Sequence, residues 1–332
     1  MGRPRRQASG LLLSALACAV LLGALAQLAS AATPDSVSVP ASARAARRYW
    51  TPARMRSAVP VLAKSRPSRR LVHAADDAGG DPEEGGTHSY PSRSPTFGAG
   101  SSSAAEAIAD PTVPGSSQNG AVFIVSGDGS RGRCSGTSLN GPNYSLVITA
   151  GHCVHFFGRW LSGRWIFVPG YHFGQRPFGT FAAKWLGTTE QWRTRENENY
   201  DVGIAVVSRN ERGQRLADAV GGDGIAWGLP RQQVFDVYGY PVEPPFNGAT
   251  LQRCPQAPYE GHDFLSFLSP GPLDLGVQCD VTPGSSGGAW VISGDTVNSV
   301  TSTGYEDDPM NVFGPYFGKA VGRLFKQAGR VR

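Results

Sequence analysis

The chain has 332 residues, enough for one large domain or two ordinary ones, and a formal charge of +5. Residues 1–118 carry 13 Lys/Arg and 8 Asp/Glu, whereas residues 119–332 carry 18 of each. The larger part is therefore neutral, with no basic stripe of interleaved aromatics, and nucleic acid is excluded as the expected partner.

At the start of the chain, Arg3, Arg5 and Arg6 precede an apolar run from Leu11 to Leu28, followed by Ala29-Ser30-Ala31. A basic head, an apolar middle and a small-x-small end predict a secretory signal peptide over residues 1–31 rather than a membrane span. No other stretch is apolar enough to cross a bilayer. The expectation is a secreted, extracellular protein with no stable membrane insertion after signal removal. Cys18 would leave with the signal. Cys134, Cys153, Cys254 and Cys279 remain, and in an oxidising compartment they predict two disulfides with three possible pairings.

Residues 32–118 are rich in Ala, Arg, Ser, Pro and Gly. Such a segment has little to bury and many backbone breakers, so a largely disordered leader is expected, a pro-segment or low-complexity linker. Within it, "RRYWTPARMRSAVPV" at 47–61 gathers Tyr49, Trp50, Met55 and Val59. This cluster is either a short docking element or a sticky patch in a linker.

From residue 119 onward, short β-prone runs alternate with Gly/Pro/Asn turns: "AVFIV", "SLVITA", "RWIFVPGY", "VGIAVV", "QVFDVYGY", "GVQCDV", "AWVIS" and "VNSVTSTGY". This pattern predicts an all-β domain over 119–332, a sandwich or barrels, long enough for two small barrels. Near the end, Tyr316, Ala320, Val321, Leu324 and Phe325 recur at helical spacing and predict one C-terminal helix.

The chemistry begins at "TPGSSGGAW", 282–290. Gly284-Ser285-Ser286-Gly287-Gly288 fits the G-x-S-x-G elbow of α/β-hydrolases, but those enzymes need a His after the Ser. All six His (73, 88, 152, 155, 172 and 262) precede Ser286. Gly136-Thr137-Ser138-Leu139 is like a subtilisin nucleophile segment, yet only the leader histidines 73 and 88 precede it. The order that survives is His, Asp, Ser. A nucleophilic Ser needs a base in reach, and the base needs an acceptor that fixes its tautomer. His152 follows the strand "SLVI", Asp201 precedes "VGIAVV", and Ser286 completes the set.

TAGHC at 149–153, YDVGIAVV at 200–207 and GSSGGAW at 284–290 resemble the three signature blocks of chymotrypsin-type (trypsin-like) serine peptidases. The "YWTP-R-M" leader patch, "YGYP" and "FGPY-G" are similar to stretches of bacterial, particularly actinobacterial, V8-like secreted peptidases. The resemblance implies two antiparallel β-barrels with the site between them. It also implies an acyl-enzyme mechanism, with His152, Asp201 and Ser286 catalytic and the N–H groups of Gly284 and Ser286 forming an oxyanion hole. It implies Cys134–Cys153, and with it Cys254–Cys279. Ser302 and Gly304 would pair with substrate backbone. Asp280, six residues before Ser286, stands where trypsin-like enzymes hold an acid that binds Arg or Lys, although Cys279 before it is not trypsin's pattern. The strand Thr301–Gly304 lacks the His of glutamate-specific relatives, which argues against that preference. Ser285 replaces the Asp that pairs with a new N-terminus in animal trypsins, so a charge-triggered activation is not expected.

No metal or organic cofactor is expected: paired Cys134 and Cys153 would leave no thiolates beside His152 and His155. The reading is a monomeric secreted serine endopeptidase acting on protein or peptide substrates. The alternatives are a catalytically silent binding protein on the same fold and a serine esterase.

Overall fold

The computed structural model describes residue 2 and residues 35–61, 71–73, 87–96, 113, 115, 117–305 and 308–332. Apart from residue 2, the expected signal peptide 1–31, Cys18 included, lies outside the described residues, as does most of the leader beyond residue 61. Everything below belongs to the compact unit Asp35–Arg332.

The described leader is not bare linker. It forms strand β1 (Ser36–Ser38), helices α1 (Ala43–Tyr49) and α2 (Pro52–Arg56), and strands β2 (Val59–Pro60), β3 (Leu71–His73) and β4 (His88–Tyr90). Ser42 and Thr51 cap the two helices through their hydroxyls, and Pro52 sits in the first turn of α2, where its missing N–H costs nothing. The cluster at 47–61 is a docking element: Trp50 and Met55 are buried in the core, and Trp50 Nε1 donates to the Arg164 carbonyl at 2.7 Å.

The first barrel follows. Its strands are β5 (Asn119–Val125), β6 (Arg131–Leu139) and β7 (Leu146–Thr149), then a small β8/β9 hairpin (His155–Phe156, Arg159–Trp160), β10 (Gly163–Pro169), β11 (Phe181–Thr188) and β12 (Gly203–Val207). The six long strands close in the order β5-β6-β7-β12-β11-β10 and back to β5, all antiparallel. Alternation along β5 assigns the two faces. Val122 and Ile124 fill the barrel interior with Phe167, Phe181 and Leu186, while Ala121, Phe123 and Val125 turn outward. The outward face is buried too, because the leader, the second half and the C-terminal helix cover it. That is why these strands read as continuous apolar runs. Helices α3 (Glu190–Arg195) and α4 (Leu216–Val220) flank β12 in sequence.

The second half contains β13 (Gly224–Trp227), β14 (Val234–Gly239), β15 (Gln252–Pro258), β16 (Gly261–Asp263), β17 (Leu275–Gln278), β18 (Ala289–Ile292), β19 (Thr296–Val300), β20 (Thr303–Tyr305) and β21 (Asp308–Gly314). They form two sheets, β15-β14-β18-β19-β13 and β20-β21-β17-β16, whose inner faces share Phe235, Val237, Leu275, Val277, Trp290 and Val312. The pair β13/β19 is parallel and the others antiparallel. The leader strands β4 and β3 lie on the outer edges of these two sheets. This is the mostly-β double-barrel architecture expected from the sequence. The C-terminal helix, α5 (Lys319–Gly329), buries Ala320, Val321, Leu324 and Phe325 as the spacing predicts. Tyr316 precedes it and packs in the second core instead.

Candidate active site

The three blocks converge where the two halves meet. β7 ends at Thr149 and the chain enters a 3₁₀ turn, Gly151–Cys153, which carries His152. A second 3₁₀ turn, Glu198–Tyr200, delivers Asp201 just before β12. Both side chains are fully buried. One carboxylate oxygen of Asp201 accepts the backbone N–H of His152 at 2.8 Å. The other lies 2.7 Å from His152 Nδ1 and accepts the Ser302 hydroxyl at 2.6 Å. An ionised carboxylate only accepts, so beside one a neutral imidazole carries its proton on Nδ1 and keeps its lone pair on Nε2. That Nε2 is buried and has no hydrogen-bond partner among the described residues.

Ser286 lies against the same corner. Its carbonyl accepts the N–H of Ser135 at 2.8 Å and is 3.8 Å from Cys153 Sγ. Cys153 Sγ and a ring nitrogen of His152 are within 4.8 Å of each other. The turn before β18 is compact because glycine permits it. Gly284 has φ +102° and Gly287 φ +80°. A Cβ on Gly284 would lie 2.6 Å from the Tyr240 carbonyl, and one on Gly287 would lie 2.6 Å from both the Ala150 nitrogen and the Ser135 carbonyl. Among the described residues, the N–H groups of Gly284 and Ser286 donate to no backbone carbonyl.

The disulfide Cys134–Cys153 is present and ties β6 to the histidine turn. With both sulfurs bonded to each other, the Cys134, His152, Cys153 cluster offers no thiolate to a metal. The second expected bridge is not formed. Cys254 and Cys279 are free thiols whose side chains hydrogen-bond to each other. Sharing that proton pulls the Cys254 thiol down and, with burial, pushes Cys279 up. Elimination named the right neighbours, but proximity alone does not make the covalent bond.

The other expected site residues separate. Asp280 is exposed just past β17. Gly304 is exposed on β20. Ser302 is buried: its hydroxyl goes to Asp201 and its N–H to the Phe313 carbonyl at 2.9 Å. Its side chain therefore braces the acid rather than facing a substrate. Ser285 is buried with an unpartnered hydroxyl. His155 is buried against Trp160, and desolvation holds its pKa low. His262 is buried with Nδ1 on the Asp263 carbonyl at 3.0 Å.

Several residues that hold the site carry no sequence signal of their own. Ser135 Oγ donates to the Gly284 carbonyl and accepts the Tyr240 N–H, both at 2.9 Å. Asn199, fully buried two residues before Asp201, donates to the carbonyls of Ser266 (3.0 Å) and Ser269 (3.3 Å) and accepts the Ser266 hydroxyl at 2.6 Å. Thr189 caps α3 and donates to the Tyr200 carbonyl at 2.6 Å. Trp192 lies 6.1 Å from the His152 ring and donates to the His155 carbonyl at 2.7 Å. A hydroxyl or amide in a β-rich chain is common, so only the tertiary contacts distinguish these.

No family model and no curated protein matches the chain. Solved structures do. The protease Anisep from Arthrobacter nicotinovorans is 35% identical, over 66% of this chain and 98% of its own, with a TM-score of 0.59. The thermostable serine protease AL20 from an extremophilic microorganism is 33% identical, over 65% of this chain and 99% of its own, also with a TM-score of 0.59. A double β-barrel about one-third identical, over two-thirds of this chain, to nearly the full length of two such proteases places this chain in the family of chymotrypsin-type serine peptidases.

Proposed function

We propose that the chain is a secreted serine endopeptidase, with signal peptide 1–31, leader 32–118 and peptidase domain 119–332. It hydrolyses peptide bonds through an acyl-enzyme. The observation that carries this reading is the buried pair His152–Asp201, with its unpartnered Nε2 beside the Ser286 turn. Ser286 Oγ attacks the scissile carbonyl while His152 Nε2 takes its proton. The same nitrogen returns that proton to the leaving amine, and water then repeats the sequence on the ester. Asp201 stays ionised and holds the charged imidazole. The N–H groups of Gly284 and Ser286 receive the oxyanion, each worth about 3 kcal/mol of transition-state stabilisation. The acyl side of a substrate pairs with the backbone of Ser302–Gly304 as an added strand. The Cys134–Cys153 bridge suits an oxidising, extracellular setting, and no described helix is long and apolar enough to cross a membrane.

The exposed carboxylate of Asp280 is the candidate for recognising a basic residue before the scissile bond. Turnover of peptides with Arg, Glu or Phe at that position tests it, and equal rates remove Asp280 from the reading. The function itself is tested by fluorophosphonate labelling followed by casein digestion. Labelling that disappears in Ser286→Ala, together with casein cleavage, is the expected result. Labelling without casein cleavage identifies an esterase. No labelling identifies a silent binding protein.

A further inference from the structure

Strand β6 has an open side beside the site. There β7 pairs only with Thr137–Leu139, so β7 leaves the edge of Arg131–Ser135 free for another chain segment. Residues two apart in a strand aim their backbone groups the same way, so Ser135 and Arg133 both present theirs to this edge. Ser135 gives its N–H to the Ser286 carbonyl at 2.8 Å, and its own carbonyl accepts Thr149 Oγ1 at 2.8 Å. Arg133, two residues earlier, gives its carbonyl to the N–H of Val61 at 3.0 Å. The leader strand β2 runs parallel to β6, with Val59 opposite Gly132 and Pro60 opposite Arg133. A side chain on Gly132 would meet Val61 Cγ2 at 2.6 Å, so the valine lies directly on the strand. At 3.3 Å per residue, Val61 sits about 7 Å along the edge from the nucleophile's main chain.

A peptide with its scissile carbonyl over Ser286 has its acyl side along β20. Its leaving-group side then continues past the nucleophile turn toward the same β6 edge, where an extended chain would pair by strand addition. Val59–Val61 is already there. What holds it in place is upstream. Trp50 is 1% exposed, its ring is 5.4 Å from Phe123, and its indole N–H is bonded to Arg164. Met55 is fully buried, and the Trp50 carbonyl accepts from Arg176 at 3.4 Å.

We propose that residues 43–61 are an autoinhibitory element, with Trp50 and Met55 as its anchor and Val59–Val61 occupying the strand edge that the leaving-group side of a substrate needs. The inference rests on the peptidase reading above and names how that site is regulated. The uncleaved chain then has a formed and reactive Ser286 but acts slowly on any substrate that extends past the scissile bond.

The test uses the full-length chain, checked by intact mass before each assay, and two variants. Val61→Pro removes the N–H given to Arg133, and Trp50→Ala removes the anchor. Three rates are compared: fluorophosphonate labelling, hydrolysis of an acyl anilide with no residue beyond the scissile bond, and cleavage of a fluorogenic peptide with three such residues. Each variant is expected to speed the extended peptide by about tenfold, the worth of one hydrogen bond and its contact, and to leave the other two rates within about twofold. If Trp50→Ala unfolds by circular dichroism, Val61→Pro, at a half-buried position outside the core, decides alone. Labelling of folded Val61→Pro with unchanged cleavage of the extended peptide overturns the autoinhibition. Labelling of none of the three proteins overturns the peptidase reading itself.

Discussion

Asp201→Asn isolates the tautomer on which the mechanism depends. Three donors converge on the carboxylate: the His152 N–H on one oxygen, and His152 Nδ1–H with the Ser302 hydroxyl on the other. Asparagine offers one oxygen and one NH₂. Its NH₂ cannot face the backbone N–H of His152, which has no way to lose its proton, so it turns toward Nδ1 and Ser302. The Ser302 hydroxyl can rotate to accept, but the imidazole can accept at Nδ1 only by moving its proton to Nε2. Nε2 then donates and no longer serves as a base. A loss of about 10⁴ in kcat is expected, equivalent to roughly 5 kcal/mol of transition-state stabilisation. Turnover of a peptide amide measures it, and thermal melting checks that the fold persists. A folded Asp201→Asn protein with kcat within about tenfold of the parent refutes the reasoning.

Asn199→Ala removes three hydrogen bonds that tie the acid-bearing turn to the loop 266–269, and leaves the buried Ser266 O–H without an acceptor and the Ser269 carbonyl without this donor. A loss of about 2–4 kcal/mol in denaturant unfolding is expected, with kcat falling about tenfold and KM nearly constant. Asp223 is buried near Asp295, and desolvation with that charge raises its pKa from 3.8 to about 8. A raised acid contributes stability that is complete below its unfolded pKa of about 4 and lost as pH climbs through about 8, on the order of 5 kcal/mol. Asp223→Asn should flatten that part of the stability–pH curve and raise Tm at pH 8, and differential scanning fluorimetry reads both. Non-reducing peptide mapping is expected to find Cys134 joined to Cys153 and both Cys254 and Cys279 open to alkylation; a peptide linking Cys254 to Cys279, or either of them to Cys134 or Cys153, would contradict the arrangement described above.

The three blocks that meet at the candidate site were legible because each is short and local: a His at a strand end, an Asp before a strand, a Ser among glycines. Their order along the chain removed the competing hydrolase readings. The supports were not legible, because each joins residues far apart. Ser135 reaches Gly284 across 149 positions, Asn199 meets Ser266 across 67, and Trp50 finds Arg164 across 114. Composition showed the Trp50 cluster but not its receptor, since the groove exists only once the first barrel has closed. Strand position gave Ser302 only a main-chain role, pairing with substrate backbone. The work of its hydroxyl, satisfying a buried carboxylate 101 positions away, was not legible from that position.

The turn proposed to receive the oxyanion is fixed plane by plane. A trans peptide N–H points opposite to its own carbonyl, so holding the carbonyl aims the N–H. The carbonyl of Pro283 accepts from the N–H of Val242 at 2.9 Å, which sets the N–H of Gly284. The carbonyl of Ser285 accepts from Gly288 at 2.8 Å, which sets the N–H of Ser286. Between and beyond them, the carbonyls of Gly284 and Ser286 are both held by Ser135, through its hydroxyl and its N–H. Four successive peptide planes thus have their orientations determined before a substrate arrives, by donors from both halves of the molecule. On the mechanism proposed above, two amides that need no reorganisation as charge develops stabilise an oxyanion far better than water, which must reorient. The Gly- and Ser-rich stretch packs little because its work lies in its backbone, and small side chains let the surrounding donors reach it.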